Sequence, residues 1–227
     1  PYINKHLPEM IKYAQMNNVY ISISTNGHFV NEKNVDYVLE NAPDKLIYSV
    51  DGLDEESYQK YRIGGTFKQA DEGLRLLINR KKELKKSKPY VEFQFIVMKQ
   101  NEHQLDEVRK YCDEVGLDKL VFKTMQISSY ENAIKFLPNN PKYRRYLLKD
   151  GQFSIKNQLK NHCFALWRTS VITWDGKVVP CCFDKDAEYN LGILNGNRFS
   201  DIWVSDAYQK FRSAVLADRK QTSMCTN

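Results

Sequence analysis

Val19-Tyr-Ile-Ser-Ile-Ser-Thr-Asn-Gly27, then the segment from Asn31 to Glu40, then Lys45-Leu-Ile-Tyr-Ser-Val-Asp-Gly52 is the stretch that decides the fold. Two apolar runs rich in β-branched residues flank a segment with helical spacing, and each run ends in polar residues and a glycine. This is the pattern of a parallel βα unit, in which a crossover helix joins the strands and functional groups gather at the strands' carboxyl ends. The period continues in both directions. Leu7 to Asn17 and Thr66 to Lys86 read as helices, and Asp54 as the N-cap of a short helix between them. Pro89 to Met98 reads as a strand, and Asn101 with Gln104 as a capping box for a helix that Gly116 ends. Asp118 to Lys123 is the last strand of the series. Four parallel strands alone would expose sheet edges, so further strands are expected upstream of Pro1.

A chain of 227 residues suffices for one large or two modest domains with real cores. No apolar run approaches the ~20 residues of a membrane span, and no secretory signal is visible. The net charge of +6 raises the question of nucleic acid. The densest basic run, Arg80 to Lys88, continues a helix whose apolar positions are Phe67, Ala70, Leu74, Leu77 and Ile78. Its charges therefore belong to a solvated helix end beside the C-terminal dipole, with no interleaved aromatic residues to stack bases. Neither nucleic acid nor a membrane is expected as a partner. Five cysteines, an odd number, argue against a secreted disulfide framework and for a cytoplasmic protein. Cys112 lies on the stripe Leu105, Val108, Cys112, Val115, where a small hydrophobe belongs.

Three strand ends are chemically pointed. Thr25-Asn26-Gly27 follows the first strand directly, as an ordinary Asn-Gly turn also would. Alternation puts Ser49 and Asp51 on one face of the second strand's end, where both can accept hydrogen bonds from hydroxyl or amino groups; an Asx-type turn is the alternative. Arg62, just before Gly64-Gly65, could hold a carboxylate in its fork. Residues 129–160, with Pro138 and Pro141 and no clean periodicity, read as a bridging segment. Residues 161–227 carry four of the cysteines around a hairpin, Thr169 to Trp174, Asp175-Gly176, and Lys177 to Cys181, in which both turn positions are expected at positive φ. Thiols gathered from distant points, Cys163, Cys181 and Cys225, suit a metal or an iron–sulfur cluster better than a redox pair, and tetrahedral zinc or simply buried cysteines remain alternatives. Cys182 is expected to point away from Cys181 along an extended strand, as a packed thiol or as a hydrogen or proton donor near a substrate. His6, His28, His103 and His162 show no metal-ligand spacing.

Taken together, Cys163-Phe-Ala-Leu-Trp167, Ile172-Thr-Trp-Asp-Gly-Lys-Val-Val-Pro-Cys-Cys-Phe183, Asn190-Leu-Gly192, Ser200-Asp-Ile-Trp203 and Tyr208-Gln-Lys-Phe-Arg212 resemble the C-terminal SPASM/twitch extension of radical SAM enzymes. The upstream order of Thr25–Gly27, Ser49–Gly52 and the element from Arg62 to Phe67 is similar to the later half of the barrel of those enzymes. The resemblance implies an α/β chain: a partial parallel (β/α)6 barrel over residues 1–128, the bridge over 129–160, and a small α+β SPASM/twitch module with a β-hairpin over 161–227. It implies that Ser49, Asp51 and Arg62, with Asn26, contact the ribose, amine or carboxylate of S-adenosylmethionine, and that backbone at Ile96 and Val97 edges its adenine. It implies an auxiliary 4Fe-4S cluster on Cys163, Cys181 and Cys225, with a fourth cysteine just beyond Asn227; Cys182 is a candidate catalytic thiol on its position beside Cys181 alone.

The family's Cys-x3-Cys-x2-Cys motif, which holds the cluster that cleaves the cofactor, is absent from these residues and is expected upstream of Pro1. The implied chemistry of the intact enzyme is one-electron cleavage of S-adenosylmethionine, followed by hydrogen-atom abstraction from a peptide, protein or small-molecule substrate. The implied electron donor is of the flavodoxin or ferredoxin type. The rival readings are a non-catalytic zinc- or iron–sulfur-binding module on an α/β scaffold and a nucleic-acid-binding protein that exploits the +6 charge.

Overall fold

The computed structural model describes residues 1–157 and 159–225, which form two compact units. The first comprises Pro1–Met125 with Ile134–Arg144, and the second comprises Gln126–Ala133 with the chain from Arg145 onward. The expected bridge over 129–160 thus divides between the two.

In the first unit the order is α1 (Leu7–Met16), β1 (Ser22–Thr25), α2 (Val35–Glu40), β2 (Lys45–Ser49), α3 (Glu55–Gln59), α4 (Phe67–Glu83), β3 (Tyr90–Val97), α5 (Leu105–Val115) and β4 (Lys119–Thr124). The four strands make one parallel sheet in sequence order, β1-β2-β3-β4. Its two faces differ in chemistry. One carries Ile23, Leu46, Tyr48, Val91, Phe93, Phe95 and Val97, buried under α2, α4 and α5 through Val38, Leu39, Leu74, Leu77, Ile78, Val108 and Val115. Each such side chain contributes about 1.5–3 kcal/mol when fully removed from water. The alternate positions give the other face Ser24, Lys45, Ser49, Glu92 and Gln94 alongside Ile47 and Ile96, with Ser49 opposite Gln94 and Glu92 opposite Lys119 in the register. Glu92 is buried there between Lys45 and Lys119, at 3.5 Å from each.

Local signals place the helix ends. Asp54 accepts from the Ser57 amide at 2.7 Å, Thr66 accepts from the Gln69 amide at 3.2 Å, and α5 stops at left-handed Gly116. The basic tail of α4 is less free than a solvated face would be. Arg80 forks onto Asp36 at 2.6 and 2.9 Å, Lys81 meets Asp118 at 3.2 Å, and Lys86 donates to the Leu39 carbonyl at 3.1 Å. Cys112 sits in the core at 5% exposure, and burial pushes its thiol up to about 12. Cys182 is exposed. A thiol reagent at pH 8 is therefore expected to label Cys182 within minutes and Cys112 only after denaturation; fast labelling of Cys112 in the folded protein would contradict this packing.

The supposed bridge holds elements absent from the sequence reading: α6 (Tyr130–Phe136), whose residues divide between the units, and, in the second unit, a hairpin of β5 (Tyr146–Lys149) and β6 (Gln152–Ile155). Its turn residues Asp150 and Gly151 both have positive φ, 50° and 75°. The second hairpin is a correction. β7 (Val171–Ile172), β8 (Lys177–Val179) and β9 (Gly192–Ile193) form an antiparallel meander. The link from β7 to β8 is one residue longer than a two-residue turn: Gly176 donates to the Thr173 carbonyl at 3.0 Å, and Thr173 donates to the Lys177 carbonyl at 2.9 Å. A three-residue loop of this kind needs a left-handed residue only at its last position, and Gly176 supplies it at φ 82°. Two helices, α7 (Phe199–Trp203) and α8 (Asp206–Asp218), complete the unit. Tyr208, Phe211, Arg212 and Val215 recur at helical spacing and form the buried face of α8.

Candidate cofactor site and thiol cavity

The carboxyl ends of β2 and β3 are joined by one hydrogen-bonded node. The Asp51 side chain, with no exposed surface, accepts from Arg62 Nε at 2.7 Å and Nη2 at 2.5 Å, and its other oxygen accepts from the Ile96 amide at 2.7 Å. Burial raises the Asp51 carboxyl above the usual carboxylate range, opposed by the Arg62 charge and the Ile96 hydrogen bond. Asn101, fully buried, donates to the carbonyls of Asp51 at 3.0 Å and Ile96 at 2.9 Å and accepts from the Met98 amide at 2.7 Å. Gln104 accepts from the Leu53 amide at 3.1 Å and donates to Asp54. Asn101 and Gln104 therefore do not form the expected capping box; both bind the strand-end loops instead. Gly52 is needed where it stands, because a Cβ there would lie 2.5 Å from the Tyr58 amide nitrogen.

The predicted binding residues fall into two groups. Asp51, Arg62 and Ile96 are brought together in the node, and Ser49 lies at its edge, half-buried as the last residue of β2. Although alternation gives Ser49 and Asp51 one face, Asp51 turns its oxygens inward to Arg62 and Ile96. Arg62 keeps 29% of its side chain exposed, with its guanidinium 5.5 Å from the Tyr61 ring centroid. Asn26 is exposed, and its side-chain contacts are with His28. Val97 is wholly buried on the helix-covered face. A cavity of about 520 Å³ lined by His28, Asn31, Gln69 and Glu72 lies apart from the node.

In the second unit, Cys163, Cys181 and Cys225 line one cavity of about 110 Å³, with Ala165, Leu166, Phe183, Met224, Arg145 and Arg219. Leu166 and Met224 of this lining belong, with Phe211 and Val215, to the buried cluster against which the three thiols pack. α8 fixes that wall through Arg212, which donates to the carbonyls of Leu166 and Trp203, each at 3.0 Å, and lies 4.3 Å from the ring centroids of both Trp203 and Tyr208. Burial raises the Cys181 thiol, partly offset by the Phe183 amide, and Cys182 and Cys163 add to the rise. The strand on which the expectation for Cys182 rested is short: β8 ends at Val179, and Cys182 stands exposed in a turn.

Among the described residues, no three His, Cys, Asp or Glu side chains stand at the spacing that holds a single metal ion. The donor chemistry nevertheless fits a thiolate-bound cluster: three soft ligands share a low-dielectric cavity whose two cations can balance a cluster's negative charge. Neither arginine was singled out by the sequence. All five cysteines are free.

Residues 163–227 match the SPASM family, described as an iron–sulfur cluster-binding domain. A tungsten-containing aldehyde ferredoxin oxidoreductase cofactor-modifying protein of Pyrococcus furiosus is 24% identical over 93% of this chain and 67% of its own length. The crystal structure of Streptococcus suis SuiB bound to its precursor peptide SuiA superposes with a TM-score of 0.63 at 12% identity, covering 91% of this chain and 52% of SuiB. BtrN in complex with AdoMet and 2-DOIA gives 0.51 at 19% identity, covering 100% of this chain and 68% of BtrN. This chain thus spans about half the length of SuiB. With a parallel βα sheet upstream of a thiol-lined module, the chain is similar to radical SAM enzymes that carry a SPASM iron–sulfur domain, whose cofactors are S-adenosylmethionine and 4Fe-4S clusters.

Proposed function

We propose that the intact protein is a radical SAM enzyme in which this chain supplies four strands of a (β/α)6 barrel and the auxiliary-cluster module. The observation that carries the reading is the node at the ends of β2 and β3, where Asp51 fixes a part-exposed Arg62 beside Ser49, next to the polar face of a parallel sheet. When bound, S-adenosylmethionine supplies a 5′-deoxyadenosyl radical after one-electron reduction at an upstream cluster.

This chain's residues bind and orient. Arg62 holds the cofactor's carboxylate, and Ser49 and Asn26 offer hydrogen bonds to its hydroxyl and amino groups. Asp51 acts as a positioning residue, because its oxygens are occupied by Arg62 and the Ile96 amide. The Ile96 amide and carbonyl are likewise taken, by Asp51 and Asn101, so Ile96 would meet an adenine ring through its side chain. Cys163, Cys181 and Cys225 hold the auxiliary cluster, and exposed Cys182 is a candidate donor to a substrate radical.

The substrate we favour is a peptide, in line with the peptide-bound SuiB structure; a small molecule, as in the BtrN complex, is the second reading. The net charge of +6 suits a small acidic electron carrier of the flavodoxin or ferredoxin type, and free cysteines suit the cytoplasm. Among the described residues no helix is long and apolar enough to cross a membrane.

Anaerobic incubation of the intact protein with dithionite and S-adenosylmethionine, followed by quantification of 5′-deoxyadenosine, tests the activity. Arg62→Ala is expected to weaken cofactor binding ten- to a hundred-fold, the consequence of losing a charge-assisted bond of about 1.5–3 kcal/mol. No 5′-deoxyadenosine from the reconstituted wild type, or unchanged affinity in Arg62→Ala, would contradict the reading.

A further inference from the structure

We propose that Arg219 is a hydrogen-bond donor that the thiol cavity holds ready for a bound iron–sulfur cluster, and that it raises the cluster's reduction potential. This rests on the assignment of Cys163, Cys181 and Cys225 as cluster ligands.

Arg219 follows α8 in a 3-10 turn that is pinned on both sides. Its amide donates to the Asn161 side chain at 3.3 Å, and Asp218 accepts from the Lys220 amide at 3.0 Å and from the Gln221 side chain at 3.3 Å. The Arg219 side chain lines the same cavity as the three thiols. Its Nε is shut off from solvent and has no hydrogen-bond partner, and Arg219 makes no ion pair among the described residues.

A buried guanidinium N–H without an acceptor is rare, because the group gives up its hydration and receives nothing in return. The neighbouring Asp218 does not relieve it, since its oxygens accept from Lys220 and Gln221. Among the described residues, Ala165, Leu166, Phe183 and Met224 also line the cavity and offer no side-chain oxygen. The acceptors with the right chemistry in this cavity are sulfurs: the cysteine thiolates and, with a cluster in place, its sulfides. Arg145 lines the cavity too, with its guanidinium 4.8 Å from the Phe183 ring centroid, so a second cation faces the same anion.

A cluster gains one negative charge when reduced. A fixed cation and an N–H···S bond in a low-dielectric cavity therefore stabilise the reduced form more than the oxidised one and raise the potential. Arg219 makes the auxiliary cluster a better electron acceptor without being one of its ligands.

The test is a dithionite potentiometric titration of the reconstituted intact protein, read by electron paramagnetic resonance, with the auxiliary signal identified by its loss in Cys163→Ala. Iron and sulfide are counted in every sample. Arg219→Gln is expected to keep its iron and to show a tenfold lower reduced-to-oxidised ratio at a given potential, a midpoint shift of about 59 mV to more negative values for a one-electron couple. Arg219→Lys, which keeps the charge but not the Nε donor, is expected to fall between. Full iron content with a midpoint unchanged in Arg219→Gln overturns the proposal and leaves the cluster assignment standing. Should Arg219→Gln fail to retain iron, the midpoint of Arg219→Lys decides: a negative shift supports the role, and no shift overturns it. A wild type without auxiliary iron overturns the cluster assignment itself.

Discussion

Asp51→Ala in the intact protein is expected to lose about 3 kcal/mol of stability, the lower end of the range for breaking a buried ion pair, because Arg62 retains some solvent screening. The loss has two parts. Arg62 is left without its carboxylate, and the buried Ile96 amide is left without an acceptor. At about 2–4 °C per kcal/mol for a domain of this size, the melting temperature should fall by roughly 6 °C or more. Asp51→Asn keeps an oxygen for the Ile96 amide and should lose less. The variant is also expected to bind S-adenosylmethionine poorly, since Arg62 loses its orientation. A melting temperature within 1 °C of wild type would show that the strand-end node is not structural.

The course of the first unit was legible because its signals are local. Asp54, Thr66 and Gly116 act on amides and carbonyls within a few residues, so their roles follow from sequence spacing alone. Asn101 is the instructive failure. A polar side chain after a strand can cap the next helix or bind whatever backbone the fold brings near, and the carbonyl of Asp51 becomes a neighbour only once β2 and β3 pair. The same holds for Asp51, whose burial is set by Arg62 and Ile96 from other elements.

Two features were readable and were missed. The rule applied to Asp175-Gly176 fits Asp150-Gly151 better, since there both residues adopt positive φ. Loop length separated the two cases: Tyr146–Lys149 pairs directly with Gln152–Ile155, whereas Thr173 and Lys177 enclose three residues. The alternation Glu92-Phe93-Gln94-Phe95 also announces a sheet with one polar face, which apolar content alone conceals. The thiol triplet was legible because cysteine is rare and chemically pointed. The arginines beside it were not, since most arginines serve the surface and only their position shows otherwise.

The central claim is that Cys163, Cys181 and Cys225 hold a redox cluster and are not structural thiols. Their shared cavity, apolar walls and facing cations suit a buried anionic cofactor, and removing two of three ligands leaves too few thiolates to retain it. The direct measurement is the iron and acid-labile sulfide content of the anaerobically reconstituted intact protein, wild type against Cys163→Ala with Cys181→Ala. The double variant is predicted to lose roughly four iron and four sulfide per chain, the content of one 4Fe-4S cluster, while the iron of the proposed barrel cluster remains. Equal iron in the two proteins, or a native module that binds zinc and no iron, would contradict the account.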